Sequence, residues 1–265
     1  MKNFTRFSIA ALTLLVFYLA GCTQRTSPLG RSDLAAAYAA GESARASERP
    51  GLGTEWGEDR NSRVTGRAFE RGGSRPFSTD KFFYNDEAGS KAMANMSGFG
   101  WRRSGPFTAA EGTVSIGLKG AGGGFLKSYS ASGDYFYVGD HGDRYEIWIK
   151  NLTNSRLELV VSVDGLDVLD GKSAAYSKRG YLIQPKGTLT IDGFRQSNSQ
   201  VAAFRFGSVA DSYAQRKHGN SRNVGVIGVA VFPEYGHNPH RQPWDTKRRI
   251  NADPFPRQFA TPPTR

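Results

Sequence analysis

Residues 145–163 read Tyr-Glu-Ile-Trp-Ile-Lys-Asn-Leu-Thr-Asn-Ser-Arg-Leu-Glu-Leu-Val-Val-Ser-Val. Tyr145, Ile147 and Ile149 alternate with Glu146, Trp148 and Lys150. A period of two puts the first set on one face of a strand and the second set on the other. Thr153-Asn154-Ser155 is turn material, and Leu157, Leu159, Val161 and Val163 then resume the alternation. Two amphipathic runs around a short polar turn predict a β-hairpin.

The same pattern extends outward. Val114, Ile116 and Leu118 share a face over residues 113–118, and residues 135–138 form a short aromatic run. Further strands are predicted at 168–169, 180–184, 189–191, 201–206 and 224–232. Asp164-Gly165, Asp170-Gly171, Pro185-Lys186-Gly187 and Asp192-Gly193 punctuate them as turns. The run from Val224 to Phe232 is apolar on both faces, which suits a central strand covered above and below. Residues 210–217 read as a short helix. Thirty-two glycines and 12% aromatic residues favour short strands and tight turns over a helical bundle. No alternation of strands with helices supports a parallel α/β sheet. The predicted fold is all-β: an antiparallel β-sandwich of immunoglobulin or jelly-roll type over residues 81–234, with one or two short helices.

The flanks read differently. Lys2 and Arg6 precede an apolar run over residues 7–20, and Leu19-Ala20-Gly21 leads to Cys22, the only cysteine. The run is shorter than the roughly 20 apolar residues of a membrane span, and Ser8 and Thr13 interrupt it. An ordinary secretory signal would end in an A-x-A-like site instead. The segment resembles the lipobox of bacterial lipoproteins. That resemblance implies cleavage before Cys22, a thioether-linked diacylglyceryl group on Cys22, and acylation, such as palmitate, of the new amino terminus. Two or more acyl chains give stable anchoring. Thr23, where the enterobacterial sorting pattern has an inner-membrane aspartate, implies the outer membrane of a Gram-negative envelope. Residues 22–80 read as tether and low-complexity linker, with a short helix capped at Ser32-Asp33 over residues 34–40. The Arg-, Gly- and Ser-rich stretch from Glu48 to Ser78 has little to bury. Residues 235–265 form a basic tail with Lys247-Arg248-Arg249, and seven of the twelve prolines fall from Pro233 onward. The default reading is an extended segment. The alternative is a strap that packs Trp244, Phe255 and Phe259 onto the sandwich.

No disulfide framework is available with one cysteine, so an ordinary core must hold the domain. The formal charge is +11, and loss of Lys2 and Arg6 with the signal leaves about +9. The address argues against nucleic acid as the partner. It points to the membrane reached through the lipid anchor, and to an envelope glycan, lipopolysaccharide or an envelope protein.

Several constellations carry chemistry to weigh. Asp164, Asp167 and Asp170 recur every three residues, but Leu166, Val168 and Leu169 break the alternate-position pattern of a calcium loop. His237, His240 and Asp245 surround Asn-Pro, which is not helical, and too few ligands complete a zinc site. His141 and His218 read as loop residues. The glycine run at 120–124 lacks the Lys-Ser/Thr of a phosphate loop. No nucleophile elbow or free thiol supports a hydrolase triad, and no cofactor is implied. A glycosidase carboxylate pair stays open, since acids are plentiful. Arg179 with Tyr181, Arg195 beside Phe194, and Arg205 between Phe204 and Phe206 put cations next to aromatics at strand edges. Arginine forks onto phosphate or carboxylate while an aromatic face stacks on sugar. Arg179, Tyr181, Arg195 and Arg205 are therefore the candidate ligand-binding residues, with structural pairing to Asp192 or Asp211 as the alternative. Segments over residues 143–232, including Val-Ser-Val-Asp-Gly-Leu-Asp-Val-Leu-Asp-Gly-Lys, Ile-Asp-Gly-Phe-Arg and Asn-Val-Gly-Val-Ile-Gly-Val-Ala-Val-Phe, resemble a group of uncharacterised bacterial exported proteins. The resemblance implies a self-contained exported domain and no activity. The sequence points to a binder more than a catalyst. An envelope-polymer hydrolase and a subunit of an envelope assembly are the alternatives.

Overall fold

A computed structural model describes residues 49–239. The lipobox with Cys22, the helix expected at 34–40, and the tail with His240, Trp244, Asp245, Phe255 and Phe259 lie outside the described residues. In chain order the elements are β1 (Leu52–Asn61), β2 (Ser78–Asn85), α1 (Glu87–Ser97), β3 (Trp101–Ser104), β4 (Phe107–Ala109), β5 (Val114–Gly120), β6 (Lys127–Ala131) and β7 (Asp134–Val138). There follow β8 (Arg144–Asn151), β9 (Leu157–Val163), β10 (Leu166–Asp167), β11 (Tyr181–Ile183), β12 (Thr188–Ile191), β13 (Gly193–Arg195), β14 (Gln200–Ser208), α2 (Tyr213–His218) and β15 (Val226–Pro233).

The strands form two sheets. The first runs β1-β14-β8-β5-β4, with β12 pairing β8 and β13 pairing β14. The second runs β10-β9-β15-β2-β7-β6-β3, with β11 pairing β9. Every pair is antiparallel except β2 with β7. Alternation explains the core. Val114, Ile116, Leu118, Tyr145, Ile147, Ile149, Phe204 and Phe206 from the first sheet meet Phe82, Tyr84, Leu159, Val161, Val163, Ile227, Val229 and Val231 from the second. All of them are buried. No helix among the described residues is long and apolar enough to cross a membrane.

Three expectations are corrected. The runs at 145–151 and 157–163 are strands, but not a hairpin: β8 pairs β5, β12 and β14, whereas β9 pairs β10, β11 and β15. The connection arches between the sheets around buried Asn151. Its Nδ2 donates to the Ser155 carbonyl at 2.7 Å and the Gln184 carbonyl at 3.0 Å, while its Oδ1 accepts from the Thr153 N–H at 2.8 Å. Alternation fixes which face points inward, and an arch satisfies it as well as a hairpin does. The second correction concerns residues 48–78. They contain β1, which pairs with β14 from Leu52↔Ser208 to Asn61↔Gln200 and bulges between Trp56 and Asp59. That bulge breaks the period in a strand already poor in apolar residues. Third, residues 168–169 fall in the turn after β10 rather than in a strand.

One polar cluster crosses the core. Asp164 and Gly165 both take positive φ, 56° and 81°, in the two-residue turn between β9 and β10. Such a turn suits Asp-Gly. The Asp164 carboxylate folds back between the sheets. It accepts from the Thr54 N–H at 2.9 Å, the Gly225 N–H at 2.9 Å and the Tyr84 hydroxyl at 2.5 Å. Thr54 Oγ1 then links Tyr84, at 2.8 Å, to Tyr145, at 2.6 Å. Burial raises the Asp164 carboxyl to about 6, against the pull of its three donors. Burial also holds the Tyr84 and Tyr145 phenols neutral.

Candidate functional site

Between β1 and β2 the chain crosses the rim of the sandwich as a strap. The Ser62 N–H donates to the Ser199 carbonyl at 2.8 Å, and the Val64 N–H to the Asn198 carbonyl at 3.0 Å. At the far end the backbone of Arg71 forms an antiparallel bridge with that of Glu234: the Gly72 N–H donates to the Pro233 carbonyl at 2.9 Å and the Tyr235 N–H to the Glu70 carbonyl at 2.8 Å. The strap is thus tied at both ends to elements of different sheets. Between the ties lies a groove of about 960 Å³, walled by Ser177, residues 179–182, Leu189 and Thr190.

Five arginines line it: Arg63, Arg67, Arg71, Arg179 and Arg195. Two of them build the walls. Arg195 donates to the Tyr181 hydroxyl at 3.0 Å, to the Ser62 carbonyl at 2.7 Å and to the Ser197 carbonyl at 3.1 Å. Arg71 packs 3.7 Å above the Phe232 ring and donates to Glu158 Oε2 at 2.6 Å and to the Tyr176 carbonyl at 2.6 Å. Glu158, the one carboxylate in the lining, also accepts the Gly180 N–H at 2.6 Å. Its charge is therefore already compensated. Arg63, Arg67 and Arg179 are exposed and engage no partner among the described residues. Burial raises the Tyr181 phenol above its ordinary range, against Arg195, so the hydroxyl stays protonated. It accepts from Arg195 and keeps its own proton to donate.

The groove brings together Arg179, Tyr181 and Arg195 of the four candidate residues. Arg205 stands apart, four residues along β14 from the strand end that pairs Arg195, or about 13 Å. It is held by Glu58 at 2.6 Å, with a second bond to the Gly142 carbonyl. Its role is the structural pairing weighed above, with Glu58 in place of Asp192 or Asp211. Arg63, Arg67 and Arg71 were hidden in a stretch read as linker. The signal was present in their recurrence: arginine stands at 60, 63, 67, 71 and 75.

The other constellations do not converge. Asp164 serves the core cluster. Asp167 Oδ1 accepts the Leu169 N–H at 2.8 Å, and Asp170 pairs with Lys178 at 2.8 Å. Among the described residues no three acidic, histidine or cysteine side chains gather to hold a metal. His218 contacts the Gly171 carbonyl at 2.9 Å, His237 the Tyr235 carbonyl at 3.2 Å, and His141 is exposed. The glycine run at 120–124 forms the turn after β5, closed by the Gly120 N–H to the Gly124 carbonyl at 2.9 Å.

Compared with protein families, curated proteins and solved structures, the chain matches none.

Proposed function

We propose that this is a lipid-anchored envelope protein whose sandwich domain binds a sugar chain bearing phosphate or carboxylate groups. The observation that carries the reading is the trio Arg63, Arg67 and Arg179, exposed and unengaged around one groove beside a buried, protonated Tyr181. Guanidinium forks suit phosphate and carboxylate, and a groove tracks a chain better than a closed pocket would. The hydrolase alternative asks for two facing carboxylates, and the only acid in this lining is committed to Arg71 and Gly180. The anchor rests on the lipobox resemblance at Cys22.

The test uses isolated cell-wall sacculi and purified lipopolysaccharide as probes. The chain should be retained at low salt and released as salt screens the charges. Arg63→Ala with Arg67→Ala and Arg179→Ala should weaken retention at least about tenfold, as expected when charged hydrogen bonds are lost. Equal retention of that variant would overturn the reading. Separately, Cys22→Ala should abolish palmitate incorporation and move the chain out of the membrane fraction.

A further inference from the structure

A second surface lies far from the groove. Met96, Phe99 and Trp101 fall within six residues and are 89%, 79% and 64% exposed. The Phe99 and Trp101 rings meet edge to face at 5.3 Å, which makes a single aromatic knob. The knob projects where the end of α1 leads into β3, the outermost strand of the second sheet, all four of whose residues are exposed. Large apolar side chains left in water together mark a contact surface.

The charges around the knob say what it contacts. Lys91, Arg102, Arg103 and Lys127 are all exposed. None of the four forms an ion pair among the described residues, and Arg103 spends one N–H on Ser130 Oγ at 2.9 Å. Three acids stand nearby: Asp86 and Glu87 at the start of α1, the first accepting the Gly89 N–H and the second the Tyr129 hydroxyl, and Asp134, one register pair beyond Ser130↔Tyr135. Four cations against three acids, two of which sit at the far start of α1, leave a positive rim around an aromatic tip. Tryptophan and arginine both settle at headgroup depth, the ring in the acyl boundary and the cation among phosphates.

We propose that this edge of the domain rests on an anionic phospholipid surface, with Phe99 and Trp101 at the acyl boundary and the four cations on lipid phosphates. The inference depends neither on acylation of Cys22 nor on the groove's ligand. Its test uses residues 23–265, which keep every described residue and lack both the cysteine and the apolar run before it, so no acyl chain contributes. The probes are vesicles of phosphatidylethanolamine with phosphatidylglycerol, and vesicles of phosphatidylcholine alone. Sedimentation should show binding to the anionic vesicles only. Phe99→Ser with Trp101→Ser should lower the partition coefficient at least about tenfold, and Arg102→Glu with Arg103→Glu at least about fivefold for each charge removed. These side chains are exposed, so unchanged thermal melts will show that the variants fold. Three results would overturn the proposal: no binding to anionic vesicles, equal binding by the aromatic variant, or loss of binding on Arg63→Glu with Arg67→Glu and Arg179→Glu instead. The first would leave the knob to a protein partner. The last would place membrane contact at the groove.

Discussion

Replacing Asp164 by Asn should remove a specific part of the domain's response to pH. The folded carboxyl titrates at about 6, against 3.8 when unfolded, because burial opposes its charge. The folded state therefore holds its proton more tightly than the unfolded state does. Its stabilising contribution is full below 3.8 and is lost as pH rises through 6. The two values correspond to about 2–3 kcal/mol between pH 4 and pH 7. The cluster can take the proton because its hydroxyls form a reversible chain. With Asp164 ionised, Tyr84 donates to it, Thr54 to Tyr84, and Tyr145 to Thr54. With Asp164 protonated, the same three contacts reverse direction. Asn keeps the shape and tolerates the positive φ at this turn, but it has no charge to lose. At pH 7 it removes the cost of a buried charge and sets an amide N–H against the Thr54 N–H, a loss of about 1–3 kcal/mol. The two effects nearly cancel there. Urea unfolding of both chains from pH 4 to pH 7 gives the check, with the difference curve cancelling groups the chains share, such as Asp167 and Glu58. The variant should gain about 2–3 kcal/mol relative to the parent as pH rises. A flat difference curve would mean the three donors outweigh burial and keep the carboxylate ionised throughout.

Two further perturbations probe the frame around the groove. Gly193→Ala places a Cβ 2.0 Å from the Ala202 carbonyl oxygen, where only backbone can yield. It should cost about 3 kcal/mol, roughly 6–12 °C in Tm by calorimetry; an unchanged Tm would mean β13 does not lie against β14 as described. Arg71→Met strands the buried Glu158 carboxylate and should cost about 3 kcal/mol in urea unfolding. Adding Glu158→Gln should recover part of that loss, and no recovery would show that the Arg71 contacts to Phe232 and to the Tyr176 carbonyl matter more than the ion pair.

Strand faces were legible in the sequence because a period of two is local. Tyr145, Ile147 and Ile149 turn inward as their spacing requires, and so do Leu157, Leu159, Val161 and Val163. Pairing was less legible, since the arch at Asn151 depends on carbonyls at Ser155 and Gln184, the second of them far along the chain. β1 is hidden in the sequence for a related reason. Its place in the sheet comes from backbone bonds to β14 and from Thr54 meeting Tyr84, Tyr145 and Asp164, not from an apolar stripe. The candidate site was half visible. Arg179, Tyr181 and Arg195 lie close in sequence and near one another in the fold, but Arg63 and Arg67 reach them only because the strap is tied down at Ser62 and Arg71. Arg205 looked equivalent to Arg195, since both sit beside phenylalanines. What separates them is the partner across the sheet, Glu58 for one and Ser62 for the other.

The two proposed surfaces sit at opposite edges of the second sheet. From β3 to β9, beside which β11 and the groove wall lie, the order is β3-β6-β7-β2-β15-β9. Five strand spacings make about 24 Å. The distance bears on what an anchor at Cys22 does. Between Cys22 and Arg49 the chain reaches at most about 90 Å when fully extended, which exceeds the width of the sheet several times over. An acyl anchor of that reach would hold the domain near a bilayer but would leave either edge free to face it. The proposed lipid contact of the aromatic knob and its cationic rim would supply the missing preference, turning β3 toward the lipid and the arginine groove away from it. A ligand that begins where the headgroups end, such as a wall polymer, would then be within reach of Arg63, Arg67 and Arg179 while the domain stays seated. If the knob is removed and the anchor kept, the groove should still bind its sugar chain in solution yet lose its fixed distance from the membrane. Crosslinking from a position on the strap, to lipid in one experiment and to sacculi in another, separates those two consequences.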